Sequence, residues 1–193
     1  ALDALLESSV QSDARVRLRV QSAIGGFYNP RALESAIKTI RSEPNPTIIN
    51  TAMRSLSGYG SSEIGSILLH YLREPSYRNT HAESAIAAME KQDNPVFIMP
   101  ILETLMERKG LFSTRGMVNA LSSLAYLGRH QDDKSMLLSF IAGRLQDPKS
   151  AVRSGAIRAL ATLRDPKAIA ILEKWMSADS HSPEYKAAQT AIS

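Results

Sequence analysis

Residues 147–175 read DPKSAVRSGAIRALATLRDPKAIAILEKW, and this stretch decides the fold. Val152, Ala156, Ala159, Leu160 and Leu163 recur at three- and four-residue spacing, which gathers them into one apolar stripe about 100° wide on a helix. Asp147-Pro148 and Asp165-Pro166 bracket that helix. An Asp side chain can accept from the free N–H groups of a first turn, and Pro suits that turn because it has no N–H to leave unpaired. A stripe of this kind must be covered by a neighbouring helix.

Sliding the pattern along the chain finds equivalents of Leu160 at Ile24, Leu56, Met89, Leu121 and Ile192, at successive spacings of 32, 33, 32, 39 and 32 residues. A small residue precedes each anchor (Ala23, Ser55, Ala88, Ala120, Ala159, Ala191). Four before it stands Val20, Ala52, Ala85, Met117, Ala156 or Ala188, and small residues there let helices approach closely. The punctuation follows independently: Asn29-Pro30, Asn94-Pro95 and Asp165-Pro166 lie five and six residues after their anchors, with Ser61-Ser62 in the same role in the second repeat. The long spacing comes from YLGRHQD, residues 126–132, which predicts a protruding loop.

The spacing predicts twelve helices, near 1–10, 14–27, 30–42, 46–59, 61–73, 79–91, 95–108, 113–127, 133–146, 150–163, 166–177 and 183–192. Together they form one domain over 1–193, an all-α solenoid of six antiparallel pairs. Sustained period-two alternation of the kind strands show is absent. Gly25-Gly26 and Gly58-Tyr59-Gly60 fall at helix ends, where a left-handed C-cap calls for glycine.

The unit resembles the HEAT repeat family. Its pattern of an apolar helix, Asp-Pro, then Val-Arg with spaced Ala and Leu is met by Leu145, Asp147, Pro148, Val152, Arg153, Ala156, Ala159, Leu160 and Leu163. Glu43-Pro44 with Ile48 repeats the turn but has Ile49 where the Arg stands, and Val16-Arg17 keeps the helix without the Asp-Pro. The resemblance implies an extended surface that binds proteins or packs on another domain.

Composition sets outer bounds. The chain has 193 residues, 44% hydrophobic and 22% charged, which is ordinary for a folded domain. The longest apolar run, 96–102, is interrupted by Pro100 and is far short of a membrane span. The absence of Cys excludes disulfides and thiolate metal sites and is compatible with a cytoplasmic location, though it does not fix one. A net charge of +4 permits weak attraction to polyanions, but apart from Arg15, Arg17 and Arg19 the cations are dispersed. The opening residues lack an initiator Met, a signal-peptide start and an N-cap, as a fragment of a larger protein would.

The search for chemistry yields no catalytic, cofactor-binding or metal-binding residue. His70, His81, His130 and His181 do not stand at metal-ligand spacing. His81 and Glu83, two apart on a helix, point about 200° apart, so surface or capping roles are expected for the histidines. Ser35 and Lys38 match the S-x-x-K pattern of serine acylases but lack its other elements, so a solvated helix face is expected.

Arg15, Arg19, Arg54 and Arg158 are the candidate partner-binding residues. Arg15, Arg17 and Arg19 share a helix, and Arg54 and Arg158 occupy equivalent positions on later second helices, the helices that line the concave face of HEAT arrays. Such arginines could hold an acidic peptide or a phosphate by charge-assisted hydrogen bonds. Few aromatics lie among them to stack bases, which disfavours single-stranded nucleic acid. Trp175 and the methionines Met99, Met106, Met117 and Met136 are expected in the core.

The last two repeats, STRGMVNALSSLAYLG through the closing AAQTAIS, are also similar to the C-terminal HEAT-like region of gluzincin-type zinc aminopeptidases. That family carries its H-E-x-x-H zinc site in an upstream domain, so the resemblance implies a non-catalytic accessory module whose partner is an adjacent domain of the same polypeptide. A free-standing protein-binding scaffold and a HEAT-like nucleic-acid binder are the alternatives.

Overall fold

Helix starts are set by side chains that accept from backbone N–H groups left free in a first turn. In the computed structural model, which describes residues 1–178 and 183–192, Asn29 accepts from Arg31 N at 2.9 Å, Asn45 from Thr47 N at 2.9 Å and Asn94 from Val96 N at 3.1 Å. Asp147 accepts from Lys149 N at 2.9 Å and Asp165 from Lys167 N at 2.8 Å. Ser61 serves the second repeat through Ile64 N at 3.3 Å, and Ala1 offers no side-chain cap. Within the second repeat the cap is Asn45, two residues past the Glu43-Pro44 turn.

Among the described residues there are twelve α-helices and no strand. One unit, Ala1–Gln92, holds α1 (Leu2–Glu7), α2 (Ala14–Ile24), α3 (Pro30–Ser42), α4 (Pro46–Ser55), α5 (Ser62–Arg73) and α6 (Thr80–Gln92). In it α1 packs on α2, α3 on α4 and α5 on α6, while the second helices stack in the order α2, α4, α6. The other unit, Asp93–Ser193, holds α7 (Ile98–Glu107), α8 (Thr114–Gly128), α9 (Ser135–Ala142), α10 (Ser150–Thr162), α11 (Pro166–Ala178) and α12 (Tyr185–Ile192). It repeats the plan, with α8, α10 and α12 stacked as second helices.

The repeat anchors are the core. Ile24, Leu56, Met89, Leu121 and Leu160 are fully buried, and the six residues four before the anchors are buried as well. Only Ile192, the last anchor, is half-exposed. Truncating such a Leu to Ala costs about 2–5 kcal/mol, because the neighbours collapse only partly into the space left.

Two expectations are overturned. No glycine among the described residues is left-handed; positive φ is taken instead by Arg78, Asn79, Asp93 and Arg164, of which Asp93 and Arg164 sit just past the ends of α6 and α10. Gly25 is required by proximity: a Cβ there would collide with the Ser55 side chain of α4. The 126–132 segment is not a protruding loop either. Tyr126, Leu127 and Gly128 are the last residues of α8, and Leu127 is buried. Arg129 then closes the turn, pairing with both Asp93 oxygens at 2.7 and 2.6 Å and lying 3.7 Å over the Tyr126 ring.

Arg17 and Arg153 occupy the same repeat position and do the same work. Arg153 donates to the carbonyls of Asp147 and Pro148, at 3.0 and 3.3 Å, and to Glu184 at 2.9 Å. Arg17 donates to the carbonyls of Gln11 and Ser12, at 2.9 and 2.7 Å, and to Glu43 at 2.9 and 3.0 Å. Each ties the turn before its own helix to a carboxylate of the next repeat, so this arginine is structural. Its absence at Ile49 leaves the second repeat without that tie.

Candidate partner-binding surface

The second helices carry an unusual charge distribution. Helices α2, α4, α8, α10 and α12 contain no Asp or Glu at all, while they hold Arg15, Arg17, Arg19, Arg54, Arg115, Arg153, Arg158 and Lys186. Only α6 breaks the rule, with Glu83 and Glu90. A helix face without carboxylates cannot neutralise its own cations through neighbours three or four residues along.

In the unit Ala1–Gln92 the three candidate arginines are used unequally. Arg15 pairs with Asp13 at 3.0 Å, and the guanidinium holds that carboxyl below its usual range. Arg54 is exposed but donates to Thr51 Oγ1 at 3.1 Å and to Ser84 Oγ at 3.3 Å, bridging α4 and α6. Arg19 is exposed with no side-chain partner among the described residues.

In the unit Asp93–Ser193 the candidate Arg158 is exposed on α10 and likewise unpartnered among the described residues. Arg115, on the adjacent α8, has the same character, and Lys186 is exposed on α12. Helices α8 and α10 approach closely: the two Cγ atoms of Val118 lie 3.2 Å from where a Cβ on Gly155 would sit. Three stacked helices thus present one cation each. Sequence reading missed Arg115 by searching for clustered arginines, when the signal was the missing acids of residues 114–128.

The other side chains singled out fall differently. His81 is buried, not at the surface: its Nδ1 is 2.7 Å from Asn50 Oδ1, the Tyr71 ring meets it edge-on at 5.4 Å, and burial holds its pKa below the ordinary 6.5. His70 is exposed near Glu74 at 3.8 Å, His130 is exposed, and His181 lies outside the described residues. Ser35 is half-buried and Lys38 exposed on α3. Trp175 is in the core, as is Met117, but Met99, Met106 and Met136 are 42, 57 and 54% exposed, against the expectation of core packing. Among the described residues no three His, Asp or Glu side chains converge as metal ligands would, and no helix is long and apolar enough to cross a membrane.

Residues 116–193 match the family of HEAT repeats. No curated protein sequence matches the chain. Solved structures of similar fold include the following three. The complex of CpcE and CpcF of phycocyanin lyase from Nostoc sp. PCC7120 has a TM-score of 0.67 at 17% identity, over 90% of this chain and 69% of that one. A designed armadillo repeat protein has a TM-score of 0.62 at 16% identity, over 100% and 98% of the two chains. An engineered protein has a TM-score of 0.65 at 17% identity, over 99% and 94%. Residues 116–193 are thus similar to HEAT repeats, and the chain has an all-α solenoid fold like those of HEAT and armadillo repeat structures.

Proposed function

We propose that this chain is a non-catalytic interaction module whose second helices bind an acidic stretch of a protein partner. The observation that carries the reading is the acid-free set of second helices, which leaves Arg19, Arg115 and Arg158 exposed and unpaired among the described residues. A guanidinium presents planar donors matched to a carboxylate, so an Asp- or Glu-rich segment crossing α8 and α10 gains charge-assisted hydrogen bonds. Stacked helix pairs give such a segment an extended track rather than a pocket. The likeness to a complex of two chains supports a role in assembly.

Arg115, Arg158 and Lys186 on α8, α10 and α12 are few for nucleic acid, where roughly six to ten phosphate contacts are usual in a tight, salt-sensitive complex. The deciding experiment titrates the chain with a fluorescent Glu-rich peptide and, separately, with duplex DNA at low salt. Binding of the peptide alone supports the proposal, and binding of DNA in preference to peptide overturns it.

A narrower reading makes the partner an adjacent catalytic domain, as in the zinc aminopeptidases. Its support is the sequence pattern of the last two repeats alone. The parent gene tests it: an H-E-x-x-H upstream of Ala1 supports it, and a sequence without one removes it.

A further inference from the structure

We infer that the outer groove between α7 and α9 docks a basic amphipathic helix of a partner protein. The chain has seven methionines. Met53, Met89, Met117 and Met176 are buried, as core residues are; Met99, Met106 and Met136 stand in water and all belong to α7 and α9. Between those helices runs a groove of about 330 Å³, with Leu102 at its base, Met106, Met136 and Phe140 along it and Ser135 and Ser139 at its edge. Unbranched thioether side chains repack around apolar knobs of varied shape, which suits a groove that receives a helix.

Charge selects the kind of helix. Helical spacing puts Glu103 between Met99 and Met106, with Glu107 beside it, and Asp132 and Asp133 stand immediately before the helix whose first turn carries Met136. Among the described residues Glu103, Glu107 and Asp132 form no ion pair. Two nearby cations are engaged elsewhere: Lys134 Nζ donates to Leu163 O at 2.7 Å, and the Arg144 guanidinium lies 4.6 Å over the Phe140 ring. In a chain of net charge +4, an apolar groove flanked by unneutralised carboxylates fits leucines on one helix face and Lys or Arg beside them. The groove lies on first helices, apart from the arginine-bearing second helices, and wants a partner of opposite charge, so the two sites stand or fall separately.

The test uses the whole chain labelled with ¹³C at the methionine methyls. The probe is a synthetic helix with Leu at i, i+3, i+4 and i+7 and Lys elsewhere. The Met99, Met106 and Met136 signals are expected to shift saturably while the four buried methionines stay, and the same peptide with Glu for Lys should move none. Charge reversal by E103K/E107K should weaken binding about tenfold or more. Unmoved methionine signals, an equal response to the Glu peptide, or affinity indifferent to E103K/E107K overturns the proposal.

Discussion

Arg153 meets Glu184 at 2.9 Å, and the Glu184 side chain is only 2% exposed, so the ion pair closes over its own carboxylate. Removing the arginine takes that ion pair from a buried carboxylate and frees the Asp147 and Pro148 carbonyls. Arg153→Ala should cost about 3 kcal/mol in urea unfolding of the unit Asp93–Ser193. Arg158→Ala, on the same helix but unpaired, should stay within about 0.5 kcal/mol. Equal losses for the two would contradict the assignment of one as structural and the other as free.

Acid should weaken the fold in two stages. Burial holds His81 below 6.5, so as pH falls from there the unfolded chain takes a proton that the folded chain refuses, and stability present above pH 6.5 declines. Glu43 is held below 4.5, chiefly by its hydrogen bond from Arg17, so its contribution is present above pH 4.5 and is lost as pH falls through the lowered value. Thermal midpoints measured against pH should show both declines. His81→Gln should remove the first and keep the second.

Two glycines should respond oppositely to alanine. A Cβ on Gly128 would collide with Leu137 and sit 3.3 Å from Leu163, so Gly128→Ala should destabilise by about 1–3 kcal/mol. Gly60 has open space around it and no left-handed backbone, so Gly60→Ala should stabilise by about 0.4–1 kcal/mol through the unfolded chain. Calorimetry of the two variants checks the pair.

The repeat was legible in the sequence because its signals are local and redundant. Leu121 and Leu160 sit in apolar stripes, and Asn94 and Asp165 cap the helices that follow, so an error in one signal is caught by the other. Features that depend on what faces a residue across the fold were not legible. Met117 and Met136 look alike along the chain, yet one is buried and the other stands in water. His81 was read as a surface group because its partner Asn50 lies 31 residues away. Arg17, grouped with Arg15 and Arg19, turned out to be spent on Glu43, 26 residues on.

If the acid-free second helices bind a protein partner through Arg115 and Arg158, a fluorescent Glu-rich peptide titrated into the chain and into its R115E/R158E variant at two salt concentrations will tell the two proteins apart. Saturable binding that weakens with salt and drops about tenfold or more in the variant is expected. Binding of equal strength in both proteins would contradict it.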